Sequence, residues 1–264
     1  MLVLAPHSRS DKLALTLVRS STGITTGPAG MNTTLVINSK GGVGKTTITT
    51  NLGSYFAVSN VKTAIMDYDP QESSLHWLRQ RPPEAPQIHG ASGGSGPATG
   101  LRSHARYVPA DTQQLILDAP AGPSKLLLQE MLEKTDCIVI PVAPSSIDIQ
   151  ATANFIKDLL LVGGVRHRNI RVAVVANRVR SSTSVYEPLE RFVTSLGLSF
   201  LTRILDSEVY IEAAETGQGI FEMDAAESSV QRQEFMPLVR WVTNEAVPQE
   251  AAPTNVIPLK YSRG

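Results

Sequence analysis

Cysteine is nearly missing from this 264-residue chain: Cys137 stands alone, inside the apolar run Cys137-Ile138-Val139-Ile140. A bridging iron–sulfur cluster needs paired cysteines, so such a cluster is excluded and Cys137 reads as a small core residue. Net charge is missing too, with 24 basic residues against 24 acidic ones, which excludes a bulk polyanion binder. No apolar stretch approaches the length that crosses a bilayer. The run Leu13-Ala14-Leu15-Thr16-Leu17-Val18 follows basic residues but is too broken for a signal peptide. His76, His89, His104 and His167 lack metal-ligand spacing. Acidic residues are absent from Leu159 to Tyr186, where Arg166, Arg168, Arg171, Arg178 and Arg180 all fall. That asymmetry predicts a basic face on a neutral chain.

What is present is a core. With 42% hydrophobic residues the chain can bury one full domain, and β-branched apolar runs alternate with helical patterns. The alternation predicts an α/β, doubly wound, mostly parallel sheet with helices on both faces. Residues 1–30 read as an N-terminal extension, with Met31 as an alternative start, residues 31–245 as the domain, and residues 246–264 as a disordered tail broken by prolines. Gly90-Ala91-Ser92-Gly93-Gly94-Ser95-Gly96-Pro97 reads as a flexible loop, and Trp77 and Trp241 as packing residues on helices.

The chemistry concentrates at Lys40-Gly41-Gly42-Val43-Gly44-Lys45-Thr46-Thr47, which follows the apolar run Thr34-Leu35-Val36-Ile37-Asn38 and opens a helical stretch from Thr46 to Ala57. Strand, glycine-rich turn and helix together make a phosphate cradle: successive N–H groups turn toward an anion, and the helix N-terminus adds its positive dipole end. Lys45 would reach the terminal phosphates of a nucleoside triphosphate, and Thr46 would place its hydroxyl on Mg²⁺. Two aspartate-bearing strand ends follow, Val61 to Gln71 with Asp67 and Asp69, and Gln114 to Gly122 with Asp118. An aspartate at the carboxyl end of a parallel strand beside such a loop can hold a magnesium-bound water.

The loop departs from the standard pattern, whose first glycine would fall at Ser39. The run beginning at Lys40 instead resembles the deviant Walker A motif of the ParA/MinD family of ATPases, and Lys40 matches that family's signature lysine. The resemblance extends over about residues 33 to 224. It implies a deviant P-loop fold binding ATP and Mg²⁺ through Gly41, Gly42, Val43, Gly44, Lys45, Thr46 and Thr47. Lys40, Lys45 and Asp69 would be the catalytic groups, with Lys40 reaching across a sandwich dimer and Asp69 orienting the attacking water. Thr46, Asp69 and Asp118 would form the magnesium side, with Asp67 as supporting electrostatics or an outer-shell group. Asn177, at the end of the run Arg171 to Arg178, would meet the adenine edge, and Arg178 is a second candidate for the nucleotide pocket. The segment from Ile204 to Glu222 would border the nucleotide.

By the same resemblance the chain would be a cytoplasmic, nucleoid-associated ATPase. Its ATP-bound homodimer would bind DNA without sequence preference through Arg166, Arg168, Arg171, Arg178 and Arg180, with a ParB-like or adaptor protein stimulating hydrolysis. The cargo positioned or segregated would be a plasmid or chromosome, a chemotaxis cluster, or a protein organelle such as a carboxysome. An alternative is a MinD-like regulator of division or flagellar placement, although the tail lacks a basic amphipathic helix for a membrane. A third is a metabolic ligase of the dethiobiotin-synthetase kind, which uses the same fold without the signature lysine.

Overall fold

The computed structural model describes residues 30–93, 107–161, 164–165, 168–180 and 185–245. The expected extension (apart from Gly30), the C-terminal tail, Arg166 and most of the glycine-rich stretch after Gly93 lie outside them. Seven strands and seven helices alternate along the described residues: β1 (Asn32–Val36), α1 (Lys45–Val58), β2 (Thr63–Asp67), α2 (Ser73–Gln80), β3 (Ile88–Ser92), β4 (Gln114–Asp118), α3 (Lys125–Leu132), β5 (Cys137–Val142), α4 (Ser146–Leu161), β6 (Arg171–Val179), α5 (Glu187–Ser195), β7 (Ser199–Leu205), α6 (Glu208–Glu215) and α7 (Ser229–Val242). The strands form one sheet in the order β3-β2-β4-β1-β5-β6-β7, with every pairing parallel.

Alternation along the central strands sorts the core into two layers, because successive strand side chains point to opposite faces. Leu35, Leu117, Ile138 and Ile140 join Met131, Ile156 and Val193 of α3, α4 and α5 on one face. Val36, Ile116, Cys137 and Val139 join Ile48, Trp77 and Phe235 of α1, α2 and α7 on the other. All residues of β2, β4 and β5 are buried, as expected of strands covered on both sides. Crossovers through α1 and α2 lead to one edge of the sheet, and those through α3, α4 and α5 lead to the other. The winding reverses around β1 and β4, which opens a crevice at their carboxyl ends.

Part of the expected glycine-rich loop is strand. Gly90, Ala91 and Ser92 complete β3, paired with Ile65, Met66 and Asp67 of β2. A glycine is needed there because α2 packs close: a Cβ at Gly90 would lie 2.8 Å from Leu78 and 3.0 Å from Leu75.

Candidate functional site

The glycine-rich loop hangs from the carboxyl end of β1 and is shaped by two asparagines. The Asn38 amide donates to the Pro141 carbonyl at 2.8 Å and to Thr152 Oγ1 at 2.9 Å, and its Oδ1 accepts from the Lys40 backbone N–H at 3.1 Å. Gly42 and Gly44 take the left-handed conformation, with φ of 75° and 89°, so that the loop turns into α1. Asn177, carried on β6, donates its Nδ2 to the Val43 carbonyl at 2.9 Å. Any side chain at Gly44 would strike that amide.

Two buried carboxylates sit behind the loop. Asp67 and Asp118 are register partners at the ends of β2 and β4 and are each 1% exposed. Their surroundings differ. Asp67 accepts from the Asp69 N–H at 2.9 Å through Oδ1, and from Ser74 N (3.0 Å), Ser74 Oγ (2.6 Å) and Leu75 N (3.3 Å) through Oδ2. It is thus a capping carboxylate, fastening the Asp69 turn and the first turn of α2 to the sheet. Among the described residues the Asp118 carboxyl accepts from Thr46 Oγ1 through Oδ2 at 3.0 Å, and its buried Oδ1 has no partner. Burial, and then the adjacent Asp67 charge, push the Asp118 carboxyl up to about 7, against the opposing pull of Thr46, Lys45 and Ser74.

An orphaned, buried carboxylate oxygen beside a threonine hydroxyl fits a hard divalent cation. Among the described residues no group of three or more His, Cys, Asp or Glu side chains converges as a metal cage. The donors present suit Mg²⁺, which keeps several waters and shares itself with substrate phosphates. Lys45 lies against the same space, with Nζ 3.2 Å from the Lys40 carbonyl. Burial pulls its ammonium down, and Asp118 and Asp69 pull it back up. Asp69 stands at the cleft wall, its Oδ1 accepting from Gln71 N at 2.9 Å.

The cleft measures about 670 Å³. Its floor is Gly41, Gly42, Gly44, Lys45, Thr46 and Thr47, with Asn177 and Asp69 beside them. The far wall is made by Leu205 at the end of β7 and by Tyr210, Ile211 and Ala214 of α6, an apolar strip flanked by Asp206, Ser207 and Glu215. A polar, cation-bearing floor with an apolar wall matches a phosphate chain followed by a flat base.

A model of the CobQ/CobB/MinD/ParA nucleotide-binding domain matches residues 34–220. The chain belongs to this family of nucleotide-binding ATPases. Maintenance of carboxysome distribution protein A from Halothiobacillus neapolitanus is 24% identical over 223 residues, covering 82% of this chain and 96% of that protein. Among solved structures, the ATP complex of an McdA variant from Cyanothece superimposes with a TM-score of 0.61 at 16% identity, covering 82% of this chain and 98% of that one. A chain of the MinC:MinD cell division protein complex of Aquifex aeolicus gives 0.59 at 17% identity, covering 83% of this chain and 98% of that one. At such identities the superpositions establish the fold, the same parallel α/β architecture.

Within this fold the described arginines of the basic stretch do not form one face. Arg178 and Arg180 lie at the carboxyl end of β6, on the cleft side, where Arg178 lines the cleft. Both pair with Asp206, at 3.5 and 3.9 Å, and both are largely exposed. Arg171 starts the strand, roughly 25 Å away at the usual rise per residue. Its guanidinium is committed to the last turn of α7: it donates to the Trp241 and Val242 carbonyls at 2.5 and 3.2 Å and stacks 4.7 Å from the Trp241 ring centroid. Arg168 is exposed in the turn before β6, at the same end as Arg171. The wall lies within the segment Ile204 to Glu222, which the resemblance sets at the border of the nucleotide, although Tyr210, Ile211 and Ala214 carry no motif of their own. Its one local signal is Ser207, whose Oγ caps α6 by accepting from Val209 N at 3.3 Å.

Proposed function

We propose that the chain is a ParA-type ATPase that closes into an ATP-sandwich dimer, binds DNA without sequence preference and positions a cargo, with a second protein stimulating hydrolysis. The observation that carries this reading is the pair of cations on one loop. Lys45 is buried in the cleft beside Asp118 and Asp69, whereas the ammonium of Lys40 has no hydrogen bond or ion pair among the described residues. One lysine serves the phosphates of its own site. The other is available for phosphates held by a second copy, where an added cation would neutralise charge developing during transfer, as an arginine finger does.

In this reading the loop N–H groups and Lys45 hold the triphosphate, and Thr46 and the free oxygen of Asp118 hold the magnesium and its water. The magnesium supplies neutralisation of the β- and γ-phosphate oxygens when bound. Asp69 orients the attacking water, and the Leu205–Tyr210–Ile211–Ala214 wall takes the base. Asn177 Nδ2 is committed to Val43, so a base contact from that side chain falls to its oxygen. Exposed Leu126 and Ile147, in the first turns of α3 and α4, lie at the same sheet end and would be covered by the second copy. Arg178 and Arg180 supply the basic surface, doubled in the dimer. The carboxysome-distribution relative, matched over nearly its whole length, favours a protein organelle as the cargo.

Light scattering with Mg·ATP tests the proposal. Asp69→Ala should bind ATP, accumulate as a dimer and hydrolyse at least about a hundredfold more slowly, because only water positioning is lost. Lys40→Gln should bind ATP yet stay monomeric. A Lys40→Gln protein that dimerises like the parent, or an Asp69→Ala protein with parental turnover, would overturn the assignment.

A further inference from the structure

The cleft has two walls with different work, the Asp69 turn and the apolar wall of α6, and a buried clasp joins them away from the nucleotide. The clasp is the ion pair of Arg81 and Glu222, whose side chains are 7% and 4% exposed. Arg81 directly follows α2 and donates to both Glu222 oxygens, at 2.9 and 2.5 Å, and to the carbonyls of Gly217 and Pro86, at 3.2 and 2.7 Å. Its guanidinium also stacks 4.8 Å from the Trp77 ring centroid, and Trp77 Nε1 donates to the Gln218 carbonyl at 3.2 Å. Glu222 completes the unit by accepting from Gly219 N at 2.8 Å. The chain after α6 is therefore seated flush on the end of α2. A Cβ at Gly217, which has φ of 66°, would come within 2.6 Å of the Gln80 and Arg81 backbone.

The other end of α2 is the Asp69 end. Asp67 binds the first turn of α2 and the Asp69 N–H with one carboxylate. Between the two attachments α2 is only two turns long, about 12 Å, and rigid. Asn51 ties the same clasp to the phosphate-loop helix: its Oδ1 accepts from Ile220 N at 2.8 Å and its Nδ2 donates to the Thr47 carbonyl at 2.8 Å. Through the clasp and α2, a displacement of α6 by a bound base has a short route to the hydrolytic turn.

We propose that Arg81 and Glu222 are positioning residues that pass base occupancy at the α6 wall through α2 to Asp69, making hydrolysis depend on the base as well as on the phosphates. The proposal rests on the reading of Asp69 as the water-orienting group. A buried ion pair is weak as a source of stability, since an apolar pair of similar volume commonly replaces it without loss. What an apolar pair cannot reproduce is the directed set of bonds to Gly217, Pro86 and Gly219.

Trp77 provides the reporter. In a Trp241→Phe background it is the sole tryptophan. Mg·ATP should change its emission, whereas magnesium tripolyphosphate, which fills the floor and leaves the wall empty, should not. In the same background Arg81→Met/Glu222→Leu, which removes both charges, should fold and bind ATP within about threefold of the parent. Its turnover of ATP should fall about tenfold toward its turnover of tripolyphosphate, a loss in kcat rather than KM. Arg81→Lys should fall between the two. Equal Trp77 responses to the two ligands, or an unchanged turnover ratio in the double variant, would overturn the proposal. Because the Trp77 signal reports occupancy of the α6 wall and needs no hydrolysis, it separates this outcome from failure of the Asp69 reading, which would appear as parental hydrolysis by Asp69→Ala.

Discussion

Asp118→Asn should stabilise the nucleotide-free protein at alkaline pH while destroying its response to magnesium. The Asp118 carboxyl has an ordinary value of 3.8 and is raised in the fold to about 7, by burial first and by Asp67 second. An acid raised by folding contributes stability that is complete below its unfolded value and is lost as pH rises through its folded value. Between about pH 4 and 7 the unfolded chain has released the proton and the native protein still holds it, so stability falls by about 1.4 kcal/mol per pH unit. From pH 5 to pH 8 the loss from this one group is about 3 kcal/mol. For a domain of this size that is roughly 6–12 °C in Tm. Asparagine keeps the shape and an acceptor for Thr46 but cannot ionise, so the variant lacks this dependence. Thermal unfolding of both proteins in EDTA, from pH 5 to pH 8, reads the difference, because the titrating groups away from Asp118 are shared. Parallel curves for parent and variant would refute the reasoning. At pH 8, Mg·ATP at about a hundredfold above Kd should stabilise the parent by about 2.7 kcal/mol. It should do far less for the variant, whose amide cannot give the ion a charged oxygen.

Gly44→Ala should leave the protein folded but weaken ATP binding by at least about a hundredfold, measured by calorimetry, because the left-handed turn costs about 1–2 kcal/mol and Asn177 must release the Val43 carbonyl to admit the methyl group. The arginines should separate by position: Arg178→Ala and Arg180→Ala should weaken binding of the ATP-locked dimer to unrelated DNA sequences equally and lower the salt slope by about one unit per lost contact. Arg171→Ala should leave the slope unchanged and lower stability by about 1.5–3 kcal/mol in urea unfolding, as two charge-assisted bonds to the end of α7 disappear.

What was legible in the sequence was local or periodic. Gly42 and Gly44 announce a turn that only glycine makes easily, and Lys45-Thr46 places a cation and a hydroxyl at the helix start wherever the loop sits. The alternation of Leu35, Val36 and Ile37 implies a strand covered on both faces before any neighbour is known. What was not legible depends on partners distant in sequence. Asn177 looks like a strand-end asparagine free to meet a base, yet 134 residues separate it from the carbonyl it binds. Arg171 belongs by sequence to a basic stretch and by contact to α7, 70 residues on. Gly90 reads as flexibility because nothing local reveals that Leu75 and Leu78 need the space its side chain would fill.

The two strand-end aspartates show where the limit falls. Asp67 and Asp118 each follow an apolar run and precede a turn, and by local sequence either could face a metal. Sheet register sets them side by side, so both cannot be accommodated in the same way: one must be neutralised by donors and the other by a proton or a cation. The residues that follow each decide it. After Asp67, Asp69 through Leu75 turns back into α2 and brings four donor contacts onto the carboxylate. After Asp118, Ala119-Pro120 leads the chain away, and among the described residues the closest donor to it is the hydroxyl of Thr46 on the phosphate-loop helix. The oxygen left over is buried and has no partner among the described residues. The same sheet edge thus anchors the Asp69 turn through one aspartate and leaves, through its neighbour, a charge that folding alone does not satisfy and that a magnesium-bound triphosphate would.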